Sequence, residues 1–147
     1  MRNKISNIPL ELKNIEEDGY HLMIDAQVNE QPVRLLVDTG ASKTVFDKTR
    51  LKALVDEGAE ENYEELEQLS TGLGTNSMQG QLAQLDSFKF GDVVIKDFPV
   101  VVLDMEHVNQ SYEMLGDKGI DGVLGSDILK KYNAVIYFKK KILKVYY

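Results

Sequence analysis

Residues 35–46 read Leu-Leu-Val-Asp-Thr-Gly-Ala-Ser-Lys-Thr-Val-Phe. An aliphatic run of strand type leads straight into Asp38, Thr39 and Gly40, and apolar sequence resumes at Val45. A carboxylate held where a buried strand ends can give or take a proton from a bound reactant. The same residues also fit a strand-end Asp that caps its own turn. The remainder of the chain has to separate these two readings.

Other chemistries find little support. The chain contains no cysteine, which excludes disulfides, thiolate nucleophiles, zinc–thiolate sites and iron–sulfur clusters. Its two histidines, His21 and His107, are far apart and fit no ligand spacing of the HExxH kind. A lone histidine within Gly-Tyr-His-Leu-Met-Ile reads as an ordinary surface or core residue. Metal catalysis and histidine-based triads are therefore poorly founded, and no metal or cofactor is expected. The carboxylates remain.

The elements that must position Asp38 are mostly strands. Candidates are 8–12, 20–28 and 33–37, the last two flanking a turn at 29–32, then 44–46, 81–90 and 93–105, with Gly91-Asp92 as a turn. Pro99 marks an irregularity or an edge in the last of these. Strands 134–138 and 142–147 flank three lysines and close the chain as a hairpin. Two short helices are predicted. One covers 47–58, with Asp47 as N-cap and Gly58 as stop, and the other covers 126–133, capped by Ser126. The acidic stretch 56–69 reads as a solvated helix extension or surface insertion. Segments 70–80 and 106–119 lack periodicity and read as loops, the second long enough to be functional or mobile. With 147 residues, the expectation is a single mainly β domain over 1–147.

The chain is 43% hydrophobic and 28% charged, with a net charge of −7. That balance is typical of globular proteins and argues against a nucleic-acid partner. Lysines 139–141 read as a charged turn that protects an edge strand. No run approaches the roughly 20 apolar residues of a membrane span, so no membrane partner is expected. The first residues have no apolar signal core, which leads to a cytoplasmic expectation.

Three features stand in order: the apolar strand into Asp38-Thr39-Gly40-Ala41-Ser42, a glycine-rich segment at 70–80, and Ile-Asp-Gly-Val-Leu-Gly-Ser-Asp-Ile-Leu at 120–129. In this combination the chain, from about Tyr20 to Tyr147, resembles the retropepsin-like aspartic proteases, single-domain relatives of pepsin. The resemblance implies a closed β-barrel with one or two short helices and a flap hairpin. It also implies an aspartic endopeptidase acting on extended peptides. Two carboxylates sharing one proton would serve as base and acid, because like charges so close do not both ionise; their titration belongs to the pair. Only one Asp-Thr-Gly is present. The resemblance therefore implies a homodimer in which Asp38 of each subunit meets at the two-fold axis.

By the same resemblance Thr39 would brace the two loops across the axis. Gly40 would let backbone approach the carboxylates, with Ala41 and Ser42 completing the supporting loop. Ala41 stands where pepsin-like members carry a hydroxyl, which points to a pH optimum nearer neutral. Gly72, Leu73 and Gly74 are candidates for the flap tip over substrate, although Leu73 also reads as an exposed loop leucine, and Met78 is equally open. Val123, Leu124 and Gly125 would pack beneath the Asp38 loop as structural residues. Asp121 and Asp127 read as a turn residue and a helix first-turn charge. The C-terminal strand would either join a dimer sheet or pair within its own subunit. Two rival functions remain: a catalytically silent module of the same fold for dimerisation or peptide binding, and a small barrel for a small ligand.

Overall fold

The computed structural model describes residues 3–54, 64–65, 69–70, 77–78 and 80–147, the three residue pairs only through their strand pairing. The elements run β1 (Ile5–Pro9), β2 (Glu11–Glu16), β3 (Gly19–Val28), β4 (Gln31–Val37), β5 (Val45–Asp47), α1 (Lys48–Lys52), β6 (Glu64–Glu65), β7 (Leu69–Ser70), β8 (Ser77–Met78), β9 (Gln81–Phe90), β10 (Val93–Leu103), α2 (Glu106–Met114), β11 (Gly122–Leu124), α3 (Ser126–Lys131), β12 (Val135–Tyr137) and β13 (Ile142–Tyr146). The mainly β expectation holds.

A barrel closes through β3-β4-β11-β5-β10-β9, because β9 returns to pair with β3 at Gln27–Lys89 and Val28–Phe88. Alternation along β3 and β4 sends Ile24, Ala26, Val28, Val33, Leu35 and Val37 inward. Phe88 fills the centre, edge-on to Phe46 at 5.7 Å and stacked on Phe98 at 5.5 Å between ring centroids. Such offset and edge contacts suit the aromatic quadrupole. A smaller apolar cluster lies outside the barrel wall, where Met23, Leu103, Met105, Ile120 and Val123 receive Tyr112 from α2.

The hairpins form where turn chemistry allows. β3 and β4 join through Asn29 and Glu30, both with positive φ (48° and 69°), the signature of a two-residue type I′ turn. The turn expected over 29–32 is thus shorter, with Gln31 and Pro32 already in β4. Asp97, two residues before Pro99, carries a φ of 49°. Pro99 precedes the Val101–Leu103 segment that pairs with β5, so the expected irregularity is present.

Several expectations are corrected. The strand expected at 8–12 is two strands broken at Leu10, which is buried and takes the chain from one sheet to the other. The helix expected over 47–58 ends at Lys52; Asp47 caps it as expected, accepting from Arg50 N. Only Leu51 anchors that helix by full burial. The second helix is capped by Gly125, not by Ser126, and no side chain caps it. Segment 106–119 is not a loop, since Glu106–Met114 form α2. The acidic stretch 56–69 falls largely outside the described residues. Glu64–Glu65 within it pair with β9 as strand, not helix.

The C-terminal hairpin forms as expected, with β12 antiparallel to β13. On its other side β13 pairs with β1 from Ile5–Tyr146 to Pro9–Ile142. Both edges of β13 are therefore occupied within one chain. Of the two alternatives for this strand, pairing within its own subunit is the one adopted.

Candidate active site

Asp38 follows directly from β4, whose Leu35–Val37 pair in parallel with Gly122–Leu124 of β11. The ladder ends with Asp38 N donating to Leu124 O at 3.0 Å. The chain then turns, with Ala41 N donating to Asp38 O at 3.2 Å and Ser126 N donating to Ala41 O at 2.7 Å. Asp38 is half-buried while Thr39, Gly40 and Ser42 are exposed. Its Oδ1 accepts from Gly40 N at 2.8 Å. A Cβ on residue 40 would lie 3.3 Å from that same oxygen, a tight fit beside a charged acceptor. Glycine keeps the backbone donor close without crowding the carboxylate.

Val123, Leu124 and Gly125 lie directly beneath this loop. Gly125 is the close point: a Cβ there would lie 2.7 Å from the Lys43 carbonyl and 2.9 Å from Ala41 O. No side chain fits without lifting the loop that carries Asp38.

A second set of contacts ties the loop down, and sequence reasoning did not find it. Thr44, 3% exposed, donates its hydroxyl to Asp127 Oδ1 at 2.8 Å and its backbone N–H to Asp127 Oδ2 at 3.0 Å. The same hydroxyl accepts from Gly125 N at 3.0 Å. Asp127 does sit in the first turn of α3 as expected, but its carboxylate is spent on Thr44. Asp121 likewise serves structure, accepting from Arg34 N at 2.8 Å. Thr44→Val keeps the shape and removes the hydroxyl, leaving Gly125 N unpaired, while Asp127 keeps Ile128 N on Oδ1 and the residue-44 N–H on Oδ2. The expected cost is about 1–3 kcal/mol, read as a lower chemical-denaturation midpoint with unchanged slope; an unchanged midpoint would mean water replaces the hydroxyl.

Asp38 opens onto a cleft of about 450 Å³ whose walls include Tyr20, His21, Leu36, Ile136 and Phe138. Its volume falls in the range of ligand pockets. The cleft thus lies between the end of β4, the start of β3 and the C-terminal hairpin. β7 and β8 pair antiparallel at Leu69–Met78 and Ser70–Ser77, and most of the hairpin-like segment expected at 70–80 lies outside the described residues. Gly72, Leu73 and Gly74 lie outside the described residues. Among the described residues, no group of three or more His, Cys, Asp or Glu side chains is arranged to hold a metal ion. No helix among them is long and apolar enough to cross a membrane.

Comparison with known proteins agrees with this architecture. DNA damage-inducible protein 1 of Candida glabrata is 26% identical over 129 residues, 84% of this chain and 25% of that protein. The chain thus spans about a quarter of that relative. A retropepsin-like aspartic protease from Rickettsia conorii superposes with a TM-score of 0.62 at 22% identity, covering 98% of this chain and 92% of its own. EIAV protease in an inhibitor complex superposes with a TM-score of 0.56 at 18% identity, covering 82% and 93%. Identities this low speak for the fold alone. The profile of the family described as aspartyl protease matches residues 24–128, well over half of the sequence. The chain belongs to the aspartyl protease family and has its retropepsin-like fold.

Proposed function

We propose that the protein is an aspartic endopeptidase whose active unit is a homodimer, with Asp38 of each subunit forming the catalytic dyad. The observation that carries this reading is the placement of Asp38 at the end of β4, half-buried, held by Gly40 N–H and facing an open cleft. In the dimer one carboxylate takes a proton from water as its oxygen attacks the peptide carbonyl carbon. The other carboxylic acid gives its proton to the carbonyl oxygen. Collapse of the tetrahedral diol breaks the C–N bond as a proton passes to the amine nitrogen. An extended peptide is bound between the Asp38 pair and the hairpin of β7 and β8, held largely through its backbone.

The subunit surface in this proposal is not an exchange of C-terminal strands, because β13 already has β1 and β12 on its two edges. The two-fold axis instead passes by the exposed loop Thr39, Gly40 and Ser42. Thr39 acts there as the brace between loops. The same occupied edges favour the second reading, a silent module of this fold, should no other dimer surface serve.

The test is cleavage of an unbiased peptide mixture across protein concentration and pH. Activity per mole of chain is expected to rise with concentration and then level off. The pH profile should peak nearer neutral than pepsin's, since Ala41 brings no hydroxyl to Asp38. Among the described residues that carboxylate takes a single hydrogen bond, from Gly40 N. A profile peaking below about pH 3.5 counts against that argument. Absence of cleavage at any concentration removes the enzyme reading in favour of the silent module.

A further inference from the structure

Among the described residues four strands edge the two larger sheets, and three of them are guarded. β2 carries Glu11, Lys13 and Glu16, and β6 is Glu64–Glu65. β1 ends in Pro9. Charges and proline are the usual devices that keep an edge from pairing with another chain. β12 has neither. The run Ala134-Val135-Ile136-Tyr137-Phe138 is uncharged. β12 pairs with β13 on one side, and no described strand pairs with its other side.

Both faces of β12 are apolar as well. Val135, Tyr137 and Phe138 are 45%, 40% and 56% exposed. Val135 and Tyr137 share the outer face with Lys144 and Ile142, their partners in β13. Ile136 points the other way, beside the fully buried Leu143, and with Phe138 it walls the Asp38 cleft. An unbroken apolar run, rather than alternation, belongs to a strand covered on both faces. An open edge of that kind is a template for a further strand.

The site indicates which strand that is. One Asp-Thr-Gly in the chain supplies half of a carboxylate pair, so the site is incomplete without a second copy, and β12 borders it. We propose that the free edge of β12 is the subunit interface, pairing antiparallel with β12 of a second copy so that two three-stranded sheets become one. The assignment rests on the reading of Asp38 as half of a dyad.

Two like edges join antiparallel only about a two-fold axis normal to the sheet, which keeps each face on its own side. Both Asp38 clefts then open on the same face, around one axis. Residues opposite each other in antiparallel strands point to the same face, so the register moves only in steps of two. Full overlap of β12 sets Ile136 opposite the partner's Ile136. Val135 then meets the partner's Tyr137, and Tyr137 meets the partner's Val135, two aromatic–β-branched pairs of the favourable kind. On the cleft side the two Ile136 side chains, flanked by the two Phe138 rings, make one continuous apolar floor. The lysine turns after each Phe138 fall on opposite sides of the axis, so like charges do not meet.

Charge reversal across this register tests the assignment on the full chain. Val135→Lys with Tyr137→Lys sets two like-charged pairs on the edge, and Val135→Glu with Tyr137→Glu does so with the other sign. Both positions are exposed, so each variant should keep the wild-type denaturation midpoint. Its dimer dissociation constant by sedimentation equilibrium should rise about a hundredfold. Mixing the two variants should restore a dimer of one chain each, within about tenfold of wild-type affinity. Should either variant misfold, Ile136→Cys decides alone. The chain has no other cysteine, so oxidation should join Ile136→Cys chains into covalent dimers, whereas Asn7→Cys, two strands away on β1, should stay unlinked. A wild type that is monomeric at every concentration overturns the assignment, whether its edge stays open or takes up an extended peptide instead. So does a lysine variant that stays dimeric, or an Ile136→Cys chain that does not cross-link. If the dimer forms through β12 and cleaves nothing, the endopeptidase reading falls and the interface stands. Asp38-dependent cleavage by a lysine variant that remains dimeric gives the reverse.

Discussion

Mixing wild type with an equal amount of Asp38→Asn protein is expected to lower peptide cleavage to about a quarter of that of pure wild type at the same total chain concentration. The figure follows from isologous assembly. If subunits assort at random, a quarter of the dimers hold two aspartates, half hold one, and only the first kind can share a proton between carboxylates. Independent monomers would give one half. Asp38→Asn alone is expected to lose activity by about 10⁴-fold, the upper range for removing an acid–base group. The variant should still fold, because an Asn amide oxygen accepts from Gly40 N as Asp38 Oδ1 does. The experiment needs a concentration at which dimers dominate and time for subunits to exchange, both checked by sedimentation. A value of one half with a dimeric mixture would mean that each subunit works alone, and the shared-dyad mechanism would have to be abandoned.

What the sequence made legible was the local part of this architecture. The strand at 81–90 matches β9 residue for residue, because its apolar alternation is bounded by Gly80 and by Gly91-Asp92. Asp47 announced the start of α1. Helix α2 was hidden because its inward residues are Asn109 and Tyr112, which give no apolar stripe. Asn109 instead accepts from Ile120 N at 2.9 Å, a contact made across a turn and invisible to periodicity. β1 was misplaced for a similar reason: Ser6 on its inner face is 2% exposed and exchanges hydrogen bonds with Asp92. A buried polar residue reads as surface until its partner is known.

The candidate site divides along the same line. Asp38, Gly40 and Gly125 stood out because a carboxylate after an aliphatic strand and glycines at fixed offsets are unusual within a short window. Thr44 and Asp127 are separated by 83 positions, and nothing near either one announces the other. The place of His21 in the cleft wall belongs to this second class, since its ring is held by Tyr112, 91 positions away, on a helix that the sequence did not reveal.

Asp117→Asn is expected to destabilise the fold by about 3–5 kcal/mol, the range for breaking a buried pair from one side. Arg34, 6% exposed, donates from Nη1 to Asp117 Oδ2 at 2.9 Å and to Gly119 O at 2.9 Å, and from Nη2 to Glu11 Oε1 at 3.1 Å. Gly119 N also donates to Asp117 Oδ2, at 3.0 Å. Burial alone would raise the Asp117 carboxyl, but the Arg34 hydrogen bond, the Gly119 N–H and the charges of Arg34 and Lys13 outweigh it and hold the group below the ordinary carboxylate range. A depressed carboxylate stabilises the fold above its unfolded-state value of about 3.9 and loses that contribution as pH falls through the lower folded value. The wild-type denaturation midpoint should therefore drop below about pH 4, and Asp117→Asn should flatten that part of the profile. The consequence reaches the site, because Asp121 N donates to Arg34 O at 2.8 Å and this loop feeds β11 beneath Asp38. Arg34→Met combined with Asp117→Leu removes both charges with similar volume and should recover most of the loss. A double variant as unstable as Asp117→Asn would mean that the pair itself, and not a stranded guanidinium, holds the 117–121 loop in place.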